Sequence, residues 1–144
     1  MRWVMLTSKA PLAEDFALEF DYVPHAVFRE QLQVDFRMSS LGDRLRFMVR
    51  DNTRLVANAV EGNAFPPDGR TQPFAFALGK SHRVRIESCG GVHSFVVDGR
   101  NVLSLTYEGV AGSKGAHAAL VFYEAAADRP IDFEIRNFRC FRRV

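Results

Sequence analysis

Apolar and polar residues alternate one for one along most of this chain, the repeat of a strand with one buried face. In residues 15–23, Phe16, Leu18, Phe20 and Tyr22 alternate with Ala17, Glu19 and Asp21. Residues 31–38 set Leu32, Val34, Phe36 and Met38 against Gln31, Gln33, Asp35 and Arg37. Residues 44–51 repeat the pattern, with Leu45, Phe47 and Val49 against Arg44, Arg46 and Arg50, and residues 54–60 pair back after a turn at Asp51-Asn52-Thr53. The centre of the chain, residues 82–107, reads as three short strands joined by turns at Gly90-Gly91 and Asp98-Gly99. The second is the strongest hairpin signal, because a tight turn needs the positive φ that glycine supplies without cost. Further strands are expected over 2–6, 74–78, 116–124 and 131–141. Residues 61–73, broken by Gly62, Pro66-Pro67, Asp68-Gly69 and Pro73, predict a long loop, and residues 108–115 a second. No stretch carries a convincing helical stripe. The economical architecture is all-β, two packed antiparallel sheets.

Composition narrows the classes. At 144 residues, 47% hydrophobic and 25% charged, the chain is expected to form one domain over 1–144. A net charge of only +2, with both signs interleaved along the strands, argues against nucleic acid as partner. The densest basic spot, Arg136, Arg139, Arg142 and Arg143, reads as a solvated last strand. No run approaches the ~18 apolar residues of a membrane span, so no membrane partner is expected. Residues 1–6 are too short for the core of a secretion signal, which makes the expected location cytoplasmic unless a leader was trimmed. Cys89 and Cys140 read as free thiols of a reducing compartment.

From residue 79 onward the chain resembles the concanavalin A-like lectin and glucanase superfamily, in its laminin-G-like and 3-keto-disaccharide-hydrolase-like bacterial flavour. The resemblance is carried by HRVRIE from His82, FVVDGRNV from Phe95 and IRNFR from Ile135, with VDFRM from Val34 and LRFMVR from Leu45 as two neighbouring strands. It implies a jelly-roll sandwich and, by default, carbohydrate binding on the concave sheet face; fold alone does not imply an activity. Glu19-Phe20-Asp21 is similar to the Glu-x-Asp-x-Glu strand of family-16-type glucanases, but Val23 stands at the third position, and Asp132-Phe133-Glu134 likewise lacks a third carboxylate. Val56-Ala57-Asn58 resembles the V-x-N strand of galectins. The galectin His-x-Asn-Pro-Arg is absent and no tryptophan follows Asn58, so galactose specificity is not implied.

If the first alternating strands are neighbours, one face carries Glu19 and Asp21, then Gln31, Gln33, Asp35 and Arg37, then Arg44, Arg46 and Arg50. Carboxylates, amides and guanidiniums in register can hydrogen-bond sugar hydroxyls or clasp an acidic ligand through planar bidentate contacts. The alternative is a solvated face of cross-strand ion pairs. The residues expected to contact a ligand are Glu19, Asp35, Arg37, Arg46 and Arg50, with Phe65 as a lid. Trp3, Phe28, Phe65 and Tyr107 are the aromatic candidates for stacking on a sugar ring, although Trp3, in a terminal alternating strand, is expected to pack into the core. The four histidines are scattered and His82-x6-Cys89-x3-His93 is no zinc spacing, so no metal is assigned. Ala111-Gly112-Ser113-Lys114-Gly115 lacks the first glycine of a nucleophile elbow. No catalytic residue and no cofactor is assigned. The expected function is a non-enzymatic carbohydrate- or polar-ligand-binding module. Two alternatives stand beside it: an interaction protein that pairs a sheet edge or face with a second copy as a homo-dimer, and a glycoside hydrolase using an atypical pair such as Glu19 with Glu134.

Overall fold

The computed structural model describes residues 2–9, 12, 15–40, 43–62, 64, 69–107 and 117–142. These build eleven strands: β1 (Arg2–Thr7), β2 (Phe16–Pro24), β3 (Glu30–Ser40), β4 (Asp43–Arg50), β5 (Arg54–Val60), β6 (Arg70–Pro73), β7 (His82–Cys89), β8 (Val92–Val97), β9 (Arg100–Thr106), β10 (His117–Glu124) and β11 (Phe133–Arg142). They form two wholly antiparallel sheets. One has six strands in the order β1-β10-β3-β4-β5-β6, the other five in the order β11-β2-β7-β8-β9. This is the all-β, two-sheet sandwich that the alternating pattern predicts.

The hairpins form where the turn residues stand. Asp51 and Asn52 both take positive φ, and the Thr53 N–H donates to the Arg50 carbonyl at 3.0 Å, closing the β4–β5 turn. Asp98 and Gly99 do the same between β8 and β9. Two residues join β8 to β9, a turn whose twist matches that of its strands, and three, Asp51 to Thr53, join β4 to β5.

Between the sheets lies an aromatic core. Phe16, Phe20 and Tyr22 from β2 meet Phe36, Phe47, Phe95 and Phe122, all essentially without solvent exposure. The one polar group among them is satisfied: the Tyr22 hydroxyl donates to the Gln31 carbonyl at 2.5 Å. Burial lifts the Tyr22 pKa well above its ordinary value, so the phenol stays a donor.

Two expectations are corrected here. Residues 74–78 form no strand; Phe74 and Phe76 alternate because both rings pack on the core, edge to face with centroids 4.8 Å apart, while the Asn52 side chain brackets Phe76 through its N–H and carbonyl. The strand is instead β6, at the end of the expected loop. All four of its residues are exposed, so it leaves no alternation to read. Trp3 is the other correction. It is 59% exposed on β1, because an edge strand has sheet on one side only and the core does not extend over it.

Candidate functional site

The inward residues of β3 and β4 are Leu32, Val34 and Phe36 with Leu45, Phe47 and Val49, so the solvent-facing side of the six-stranded sheet carries Gln33 and Asp35 opposite Arg44, Arg46, Met48 and Arg50. Asp35 is paired in register with Arg46, which is paired with Asn58 of β5. Arg46 Nε donates to Asp35 Oδ1 at 2.9 Å, Arg44 Nε lies 3.4 Å from Asp35 Oδ2, and the Gln33 amide donates to the same oxygen at 2.9 Å. One carboxylate thus gathers two guanidiniums and an amide. Although this side faces solvent, Asp35 is only 4% and Arg46 8% exposed. Burial pulls the Arg44 pKa below its usual value, against the opposing pull of Asp35. One turn of the pattern along, Arg50 Nη2 donates to Glu30 Oε1 at 3.1 Å. Glu30 Oε2 is buried and has no hydrogen-bond partner among the described residues.

At the β5–β6 side the backbone comes close. A Cβ added at Gly69 would stand 1.7 Å from Asn58 Oδ1 and 2.7 Å from the Ala57 carbonyl, so only glycine lets β6 approach here. Asn58 Oδ1 is itself buried with no hydrogen-bond partner among the described residues.

Asp35, Arg46 and Arg50, expected as ligand contacts, therefore share one face. Glu19 does not. It lies on β2, in the other sheet, where Arg85 Nη1 and Arg83 Nη1 approach it at 3.2 and 3.4 Å. The premise that β2 neighbours β3 fails because β2 is hydrogen-bonded to β7 and β11 instead. Arg37 also leaves the face. A register break follows Phe36, Arg37 takes φ +48°, and its side chain turns toward the other sheet, where Nε donates to Ser88 Oγ at 2.5 Å. The Ser88 hydroxyl in turn meets His93 Nδ1 at 2.9 Å, and His93 Nε2 lies 3.3 Å from the Tyr107 carbonyl. Burial first, and Arg37 second, push the His93 pKa down to about 4, so the ring is a neutral acceptor for Ser88. Phe65 lies outside the described residues, as does the Ala111–Gly115 segment.

Gln33 and Arg44 belong to the same alternating rows as Asp35 and Arg46, and Asn58 to the V-A-N strand, so their face was legible. Glu30 was not, because the residues before it showed no alternation; its signal was a carboxylate placed to meet Arg50 across a hairpin. Of the aromatic candidates, Phe28 is buried in the core, Tyr107 donates to Glu61, and Trp3 stands exposed. The histidines go separate ways: His25 meets Glu134, His82 meets Asp98, His117 meets Ser8 and His93 meets Ser88. Among the described residues no group of three or more His, Cys, Asp or Glu is arranged to hold a metal ion. Nor do Glu19 and Glu134 face each other. In register Glu19 stands opposite Arg139 and Glu134 opposite Val23, four residues along β2. That is a separation of roughly 13 Å at ~3.3 Å per residue, where a retaining glycosidase needs about 5 Å.

No protein-family model and no curated protein matches this chain. Solved structures do. A tetrameric galectin from the ball sponge Cinachyrella sp. superposes with a TM-score of 0.72, at 15% identity, over 96% of this chain and 100% of that one. Sheep galectin-11, solved in complex with glycerol, gives 0.68 at 11% identity over 96% of each chain. The carbohydrate-binding module CBM66 from Bacillus subtilis gives 0.68 at 14% identity, over 96% of this chain and 81% of the module. At these identities the likeness is one of fold: a two-sheet antiparallel β-sandwich.

Proposed function

We propose that this protein is a non-enzymatic binding module that holds a carbohydrate, or another polar ligand bearing an anionic group, on the solvent-facing side of its six-stranded sheet. The observation that carries the reading is the Asp35 cluster. A carboxylate, two guanidiniums and an amide are fixed in one plane of approach by cross-strand register, on the side of the sheet where packing does not require them. Their geometry is set before any ligand arrives, which reduces the ordering cost of binding. Arginine planes suit carboxylate, sulfate or vicinal hydroxyl acceptors. The sandwich is one that galectins and a carbohydrate-binding module also use. A glycan-array screen tests the reading. Arg46→Ala is expected to abolish binding, and Glu19→Ala, on the other sheet, to leave it intact. Equal binding by wild type and Arg46→Ala removes the site from this face.

A second reading, compatible with the first, is self-association through β1. Three of the four sheet edges carry devices that discourage pairing: β6 is four residues long and ends in Pro73, β8 and β9 are out of register at Phe95, and β11 is bulged between Arg136 and Arg139. β1 has none, and it exposes Val4 and Leu6 beside an apolar cleft of about 410 Å³ lined by Leu18, Leu120, Ile135 and Phe138. Antiparallel pairing of two β1 strands about a two-fold axis at Met5 sets Val4 opposite Leu6 on the cleft side. Light scattering on Val4→Lys against wild type decides it: a dimer that becomes monomeric supports the reading, and a wild-type monomer at high concentration ends it.

A further inference from the structure

Register lays a second row of side chains beside the Asp35 cluster on the same face. Trp3 of β1 pairs with Tyr123 of β10, Tyr123 with Glu30 of β3, Glu30 with Arg50 of β4, and Arg50 with Arg54 of β5. Opposite residues in antiparallel strands share a face, so this row runs from an aromatic end to a basic end. Three members have a feature that suits a ligand. Trp3 is the most exposed of the large hydrophobic side chains among the described residues, at 59%. Tyr123 is half-buried beside it. Glu30 is 7% exposed, with one oxygen held by Arg50 and the other, Oε2, without a hydrogen-bond partner among the described residues. Buried polar atoms are nearly always satisfied, so an acceptor that no described protein group satisfies is free to take a hydrogen bond from a ligand hydroxyl.

We infer that Trp3 and Tyr123 form an aromatic subsite that extends the proposed ligand site across β3 and β10, so that the ligand is a linear acidic oligosaccharide. The inference rests on the carbohydrate-binding reading above. Exposed aromatic rings stack on the apolar face of a sugar, and the guanidiniums of Arg46, Arg50 and Arg54 donate to its carboxylates or sulfates. Three strand spacings separate β1 from β4, roughly 14 Å, a span that one sugar ring cannot cover and a chain of rings can. The charge is complementary as well. Among the described residues of these cross-strand rows, four arginines, Arg44, Arg46, Arg50 and Arg54, stand with two carboxylates, Glu30 and Asp35.

Trp3 is the chain's only tryptophan, so intrinsic fluorescence reports on this position alone. The probes are uronate, sulfated and neutral oligosaccharides of one to six units, screened on an array and then titrated by fluorescence. The expected result is binding of acidic chains that strengthens with length and shifts the Trp3 emission. Trp3→Ala is expected to weaken the longer chains roughly five- to tenfold, to leave the shortest binders unchanged, and to be rescued by Trp3→Phe. Short ligands that bind with no emission change and no length dependence overturn the subsite while leaving the Arg46 site standing. Selective binding of neutral chains overturns the acidic assignment. A blank array removes the carbohydrate reading and the subsite together. Trp3→Ala that dissociates a dimer with oligosaccharide affinity intact gives Trp3 to a contact between copies and overturns the subsite too.

Discussion

The two outer faces of this sandwich are written in the same alphabet and folded to opposite ends. On the five-stranded sheet, Arg139, Glu19 and Arg85 form one cross-strand row and Arg136, Asp21 and Arg83 the next, alternating in sign. Arg83 Nε donates to Asp21 at 2.8 Å while half of its own side chain remains in water. Hydrogen bonds from Asn137 and Arg83 lower the Asp21 pKa. On the six-stranded sheet Asp35 makes contacts of similar length with Arg46 and Arg44, but all three side chains are almost wholly withdrawn from solvent. Equal hydrogen-bond lengths therefore carry unequal energies. In water the Coulomb gain and the solvation loss nearly cancel, whereas a desolvated charge depends on its partner. On the first face Glu19 and Asp21 are 15% exposed while their arginine partners stay in water, a ladder that holds strands in register. The second is a preset polar surface, which is why it carries the functional proposal.

The contrast can be broken most forcefully at Asp35. Asp35→Ala removes the carboxylate that two withdrawn guanidiniums share, and urea denaturation is expected to show a loss of about 3–5 kcal/mol. A loss below 1 kcal/mol places the cluster in effective contact with water and erases the difference between the faces.

Next in size is the polar link between the sheets. The folded His93 pKa of about 4 lies below the ordinary 6.5. The unfolded chain therefore gains a proton near pH 6.5 that the folded chain refuses until about pH 4. Stability falls as pH drops through that window, by about 2–3 kcal/mol between pH 7 and 4.5. His93→Gln is expected to flatten this part of the profile; an unchanged slope in the variant assigns the pH dependence to other groups.

Gly69→Ala ranks third. The added methyl displaces Asn58 or the β6 backbone, at an expected cost of about 1–3 kcal/mol in thermal or chemical denaturation. It sharpens the comparison because it perturbs the edge of the proposed site without removing a charge. The smallest effect belongs to Glu19→Ala, expected to cost under about 1 kcal/mol since its partners stay solvated. A loss as large as that of Asp35→Ala equates the two faces.

Much of this was legible from the order of residues. Leu45, Phe47 and Val49 alternate with Arg44, Arg46 and Arg50, and that is enough to say which side of β4 enters the core. Asp98-Gly99 and Asp51-Asn52 announce their turns because few other residues tolerate the backbone they require. Glu19 and Arg37 show where such reading stops. Alternation reports the two sides of one strand and says nothing about which sheet that strand joins. Glu19 alternates as cleanly as Asp35 and faces solvent just as predicted, but on the opposite sheet. Arg37 continues the pattern of β3 on paper, and a register break with one residue at positive φ turns it inward onto Ser88.

By itself, then, the sequence determined the all-β class, most of the strands, the sharp hairpins and the inward faces, because each depends on residues only a few positions apart. Tertiary structure alone decided that β2 leaves β3 for β7 and β11, that Trp3 lies on an edge, and that Asp35, Arg44 and Arg46 share one sheltered cluster with Trp3's row beside it. Those are products of pairing between strands distant in the chain, and no local pattern encodes the partner of a strand.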